Sequence, residues 1–216
     1  MPLVDLTQPF SSGMGSSPDA SLERRFRIED HGLNATMVAA SVHAGTHLDA
    51  PSHFYERGRT IEQLSLAETC GPAVCWHVDR GPGEPILASD LEEQSPRLKD
   101  GDILFLHTGW DRHFEGDQQA YEVHPYLSEE AAGWLVDRRI KLLGVDFTTP
   151  DLPMPLRAAS PGFNWPVHRL LLGNSVLIAE HLAHLEQVVG RRFFAFVLPV
   201  PYVGSDGAPA RVVAEL

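Results

Sequence analysis

The chain has 216 residues, 43% of them hydrophobic, enough to bury a sizeable core in one domain spanning residues 1–216. Lys and Arg total 17 against 29 Asp and Glu, and a formal charge of −12 repels nucleic acid and anionic membrane instead of attracting them. With no basic-then-apolar leader and no apolar run long enough for a membrane span, the sequence predicts a cytoplasmic protein whose partner is neither nucleic acid nor membrane.

In chain order, the predicted elements alternate in type. Residues 11–19 are rich in Gly, Ser and Pro and read as a loop, and MVAASV (37–42) reads as the first strand. A second strand is AVCWHV (73–78); Cys70 and Cys75 lie close together with no second pair, so they read as reduced thiols packed as small hydrophobes. A loop over 80–85 leads to a strand at DILFLHT (102–108). Ser128 caps a helix that begins with Glu129 and Glu130 and ends at Arg138 and Arg139, charges that suit the helix dipole at both ends. IKLLGVDF (140–147) is a strand, 148–162 a Pro-rich loop, and Pro166 opens a helix that runs through Val167, His168 and Leu172 to Gly173. SVLIAE (175–180) is a strand, LAHLEQVVG (182–190) a further helix and RFFAFVLPV (192–200) the last strand. Strands alternating with helices predict an α/β fold.

Between the first two strands the chain reads HAGTHLDAPSHF over residues 43–54, three histidines and an aspartate on a short leash. As a helix this segment would turn Asp49 about 240° away from His43, at about 3.6 residues per turn. As a flat strand it would hold His43 and His47 roughly 13 Å apart, at ~3.3 Å per residue, too far for one ion with bonds of about 2.1 Å. The segment must therefore curl, and Gly45 at the bend with Pro51 after the last ligand supplies the freedom and the stiff exit. His43, His47 and Asp49 suit zinc, manganese or iron and leave coordination open for water, the catalytic pattern and not the closed structural one. The remaining histidines, His31, His77, His107, His113, His124, His181 and His184, read as surface or capped residues, with His107 at a strand end the one that could line a pocket.

From His43 to His53 the residues resemble the signature of the cyclase-like metal hydrolases, a family that includes bacterial kynurenine formamidase and isatin hydrolase. Asp5-Leu6-Thr7, Thr108-Gly109-Trp110, Gly144-Val145-Asp146 and the pair His168 and Glu180 are similar in type and order, so nearly the whole chain is covered. The resemblance implies a single domain of the swivelling β/β/α type. It implies His43, His47 and Asp49 as metal ligands, His53 as the proton donor or acceptor, and His168 with Glu180 as ligands that complete a second metal position. It also implies one or two divalent ions, Zn2+ or Mn2+, per chain, a small-molecule substrate, and a homo-oligomer, dimer or tetramer. Without the resemblance, Glu180 reads as a strand-end residue facing solvent.

One departure bears on the substrate: formamidases of this family carry a tryptophan in the N-terminal loop, and residues 13–18 here contain none. Phe10, Trp110, Phe147, Phe163 and Trp165 are the aromatic candidates for a pocket. The expected reaction is metal-dependent hydrolysis of a small amide, formamide, lactam or ester, with metal-activated water as nucleophile, His53 as general acid and base and Thr46 holding a ligand from behind. A lyase or cyclisation enzyme using the ion to stabilise an enolate, a non-catalytic metal-binding protein, and His53 as a fourth ligand remain open on these residues alone.

Overall fold

A computed structural model describes residues 2–15 and 17–216; Ser16, in the loop expected over 11–19, lies outside the described residues. The strands are β1 (Leu3–Asp5), β2 (Ser21–Phe26), β3 (Ala35–Ala39), β4 (His47–Asp49), β5 (Cys70–His77), β6 (Pro85–Ile86), β7 (Ile103–His107), β8 (Tyr126–Leu127), β9 (Leu142–Val145), β10 (Leu177–Glu180), β11 (Arg192–Pro199) and β12 (Gly207–Glu215). The helices are α1 (Ile28–His31), α2 (Leu66–Thr69), α3 (Ala88–Glu92), α4 (Gln118–Tyr121), α5 (Glu129–Asp137), α6 (Met154–Arg157) and α7 (Pro166–Gly173).

The main sheet runs β1-β12-β11-β5-β7-β9-β10-β4 and closes because β4 pairs with β12 as well as with β10. Strands β5, β7, β9 and β10 are parallel, and the others join them antiparallel. Alternation along each strand sorts side chains to two cores, as a period of two requires. Ala73, Cys75, Phe105, Leu142, Ala179, Ala195 and Val212 face the closed interior. Val74, Trp76, Leu104, Leu106, Leu143, Val145 and Ile178 face outward, beneath Ala131, Ala132 and Leu135 of α5 and Val167, Leu171 and Leu172 of α7. The result is the α/β layering expected, with a barrel-like sheet under helices.

Five predicted strands and the helices at Ser128 and Pro166 form at close to their expected limits. Two expectations need correction. The strand expected over 37–42 instead covers Ala35–Ala39 and belongs to an exposed hairpin with β2, because the chain turns at 42–46 to enter the site. The helix expected over 182–190 is only a 3-10 turn at Leu185–Gln187. His181 and His184 both have positive φ, +55° and +56°, and the apolar residues Leu182, Leu185 and Val188 recur every three residues, the period of a 3-10 turn. Strands β1, β4 and β12 escape sequence reading: two span three residues, and Gly207 with Pro209 interrupts the alternation of the third.

The interior is narrow where Gly144 sits: a Cβ there would lie 2.5 Å from Phe105 Cδ1 and 2.6 Å from Leu182 Cδ1. Gly144→Ala should therefore destabilise the fold by about 1–3 kcal/mol through overpacking. Urea unfolding monitored by tryptophan fluorescence checks this, and an unchanged midpoint would show that the interior has room to spare.

Candidate metal centre

The HAGTHLD segment does two things in succession. Residues 42–46 turn, with Gly45 at φ +63°, and His47–Asp49 then straighten into β4 between β10 and β12. Leu48 points into the closed interior, so His47 and Asp49 point to the opposite face, under α7. Register places Glu180 directly opposite His47 and Gly207 opposite Asp49. His168 lies in the first turn of α7, and a helix leading back to a parallel strand starts at the end where that strand finishes, so it meets Glu180 at the end of β10.

Every candidate ligand is brought together. His43 Nδ1 lies 2.8 Å from Asp49 Oδ1, and His47 Nε2 lies 3.2 Å from the same oxygen and 3.3 Å from Glu180 Oε2. His168 Nε2 is 3.3 Å from Asp49 Oδ2 and 3.2 Å from Glu180 Oε1. His47, Asp49, His168 and Glu180 are all buried, so Glu180 is not the solvent-facing residue of the sequence reading. Asp49 and Glu180 each share two sets of ligand atoms lying within 4.8 Å of one another.

The fit of this cluster to a divalent ion can be judged from its unmet polar atoms. His47 Nε2, Asp49 Oδ2 and Glu180 Oε1 are buried with no hydrogen-bond partner among the described residues, and such groups are costly unless something else binds them. Tautomers agree. His47 Nδ1 lies 2.8 Å from the Gly45 carbonyl and His168 Nδ1 2.7 Å from the Asp151 carboxylate, acceptors that put the proton on Nδ1 and leave both Nε2 lone pairs facing the carboxylates. Burial opposes charge on His47, yet Asp49 and Glu180 outweigh it and raise its pKa to about 10. His168 is raised in the same way, with burial overcome by Asp151, Asp49 and Glu180. The field at this spot favours a cation, and a divalent ion competes with protons for the same lone pairs. The residues present fit the group.

His53 sits on the 3-10 turn Pro51–His53, its ring 4.1 Å from that of His43, and Nδ1 lies 2.9 Å from Asp206 Oδ2. Asp206 also takes His43 Nε2 at 2.9 Å. Sequence reading missed Asp206, as it missed Asp151. The only local signal for either is an aspartate in a Gly- or Pro-rich loop. Among the described residues Thr46 makes no hydrogen bond to a candidate ligand ring; its hydroxyl donates to the His181 carbonyl at 2.6 Å and accepts from the Gln8 N–H at 2.8 Å, pinning three segments together.

A cavity of about 530 Å³ opens over the cluster, lined by His43, His53, His168 and Glu180 and walled by Phe54, Trp165 and Arg157. Of the expected aromatics, Trp165 lines it, with φ +50° and the Arg157 guanidinium 3.9 Å above its ring, while Trp110 and Phe147 are core. Phe163 lines a neighbouring cavity of about 420 Å³, and Phe10 packs against the core. His107 is outside the 530 Å³ cavity, 3.1 Å from His77. His124 and His181, expected as surface or capped residues, are buried in the cavity wall. The reason is that the loop carrying His124 packs beneath Phe147, and His181 follows β10 directly into the site.

A family model described as "Putative cyclase" matches residues 4–152, more than half of the chain. The protein belongs to this cyclase family. The family match ends before His168 and Glu180, which lie beyond residue 152. Kynurenine formamidases of Bacillus cereus and Geobacillus thermodenitrificans are each 28% identical, over 97% of this chain and 95% of theirs. Isatin hydrolase A from Ralstonia solanacearum shares the fold with a TM-score of 0.87 at 23% identity, covering 99% of this chain and 91% of that one. A structure described as a predicted metal-dependent hydrolase from Bacillus stearothermophilus aligns at TM-score 0.78 and 27% identity, covering 99% and 97%.

For this cyclase-family cluster, His47→Ala should lower bound metal sharply, as measured by elemental analysis of purified protein; full occupancy would remove His47 as a ligand. His168→Ala and Glu180→Ala report on a second ion. Metal content unchanged in both would leave one ion, held by His43, His47 and Asp49.

Proposed function

We propose that this chain is a single-domain, metal-dependent amidohydrolase that cleaves a small aryl amide, formamide, lactam or ester. The observation that carries the reading is the buried His47–Asp49–His168–Glu180 cluster, with its unmet ligand atoms, at the floor of an aromatic-walled cavity. Near-full-length similarity to formamidases and shared fold with isatin hydrolase support it. Zn2+ or Mn2+ bound here, as one or two ions, would polarise the substrate carbonyl and acidify a water molecule.

The chain's own residues supply the rest. Trp165 and Phe54 offer aromatic faces to an aryl group, in place of the tryptophan absent from residues 13–18. The Asp206 carboxylate at His53 Nδ1 holds the N–H there and leaves Nε2 as the basic nitrogen. Burial lowers the pKa of His53, outweighing the opposing charge of Asp49, and keeps the ring neutral and ready to accept a proton. His53 then takes a proton from the attacking water as the C–O bond forms and delivers it to the nitrogen as the C–N bond breaks.

The reading includes a homo-oligomer, dimer or tetramer, acting in the cytoplasm. Leu22, Phe26, Met37 and Val38, exposed on the β2–β3 hairpin, support the assembly, since an isolated two-stranded hairpin is only marginally stable in water. Two free cysteines agree with a reducing compartment. No helix of the described residues is long and apolar enough to cross a membrane.

The test is a panel of aryl formamides, lactams and esters with zinc- and manganese-loaded protein, where no turnover on any member removes the reading. His53→Ala should keep its metal and fold yet lose roughly 10²- to 10⁴-fold in kcat. Metal lost together with activity would make His53 a fourth ligand, and activity retained with metal bound would end its role as proton carrier.

A further inference from the structure

Two histidines of the cavity wall lie outside the ligand cluster and outside the signature: His124 and His181, 0% and 2% exposed. Each has one nitrogen committed to a neighbour, and the two neighbours are of opposite kind. His124 Nδ1 lies 2.7 Å from the Pro125 carbonyl, which can only accept, so the proton is on Nδ1 and Nε2 carries a lone pair. That Nε2 is buried and has no partner among the described residues. The ring is held in plane by stacking on Phe147, with centroids 5.4 Å apart and 10° between planes.

His181 is the reverse case. Its Nδ1 lies 2.7 Å from the hydroxyl of Tyr121, a fully buried side chain for which no other acceptor occurs among the described residues. A buried hydroxyl must place its one proton on an acceptor, so Tyr121 donates and His181 Nδ1 accepts. The imidazole proton is thereby fixed on Nε2. A nitrogen of His181 lies within 4.8 Å of ligand atoms of His47 and Glu180, but a protonated Nε2 has no lone pair to give an ion. It adds a hydrogen-bond donor beside the cluster and not another ligand.

We propose that the cavity selects N–H-bearing amides and lactams through these two histidines locked in opposite tautomers, His181 presenting Nε2–H to the carbonyl oxygen and His124 presenting its Nε2 lone pair to the amide N–H. The inference rests on the hydrolase reading and narrows it, because an ester or an N-alkylated amide has no proton for His124 and leaves a buried lone pair unmatched. Accepting that hydrogen bond also makes the leaving nitrogen more basic and easier for His53 to protonate. Tyr121 acts here only as a positioning residue, through the His181 tautomer.

The test has a structural arm and a selectivity arm. Histidine-labelled 15N NMR of zinc-loaded protein should show His181 protonated at Nε2 and His124 at Nδ1, with Tyr121→Phe releasing the first tautomer and not the second. A metal-coordinated or unprotonated His181 Nε2 overturns the proposal. In the selectivity arm, formanilide should be hydrolysed in preference to N-methylformanilide. His124→Leu should lower kcat/KM for formanilide by roughly 10- to 100-fold, the range expected when one buried hydrogen bond loses its partner, with little change for N-methylformanilide. His124→Gln, which can place an acceptor near the lost Nε2, should recover part of the difference. Equal losses on both compounds, or no preference in the wild type, overturn it. Should the protein hydrolyse neither compound, the wider panel of amides, lactams and esters decides the hydrolase reading separately, and binding decides this one: acetanilide must shift both imidazoles and N-methylacetanilide only that of His181, any other pattern refuting the selection.

Discussion

Closure of the sheet by three residues, His47–Asp49, is the constraint on which the rest of this protein depends. Strand β4 enters between β10 and β12, pairing with both, and so joins the parallel half of the sheet to its antiparallel half. Because side chains alternate, Leu48 seals the interior while His47 and Asp49 are delivered to the helix-covered face. A slip of one residue would reverse that assignment, burying two polar side chains in an apolar barrel and exposing the leucine to the candidate site. Closure of the sheet and presentation of the two candidate ligands are thus one event.

Burial of this cluster carries an electrostatic cost that the protein alone does not meet. Asp49 is fully buried and Glu180 nearly so, and their ion-pair partners among the described residues are all histidines. Protonation of His47 and His168 offsets part of that cost, in line with the raised pKa of each, but three polar atoms of the cluster still lack hydrogen-bond partners among the described residues. Asp151 and the Gly45 carbonyl fix the two ring orientations from behind, and Asp206 does the same for His43 and His53 together. The orientations of these four rings are therefore fixed by hydrogen-bond acceptors. Trp165 and His181 both hold positive φ at its edge, backbone strain that the surrounding packing maintains.

The wall of the cavity is as specific as its floor. Aromatic rings from Phe54 and Trp165 come from segments more than a hundred residues apart, and the Arg157 guanidinium lies over the Trp165 ring. At the ends of β7 and β9, the Thr108 hydroxyl and N–H and the Gly109 N–H all donate to the buried Asp146 carboxylate, tying two parallel strands together. Burial pushes the Asp146 pKa up to about 7 against those hydrogen bonds. The Thr-Gly and Val-Asp segments noted in the sequence are thus explained by architecture and not by catalysis.

What the sequence by itself determined is what is local. His43, His47, Asp49 and His53 lie within eleven consecutive positions, so their proximity and the need for a bend at Gly45 follow from bond lengths and helix and strand periods alone. The parallel strands and the two longer helices were legible for the same reason, each being a continuous apolar pattern. His168 and Glu180 were reachable only through family resemblance, since their meeting depends on a helix returning antiparallel to β10. Asp206, Asp151 and the burial of His124 and His181 were decided by the tertiary structure, because strand register and side-chain packing between segments up to about 160 residues apart leave no mark on residue order.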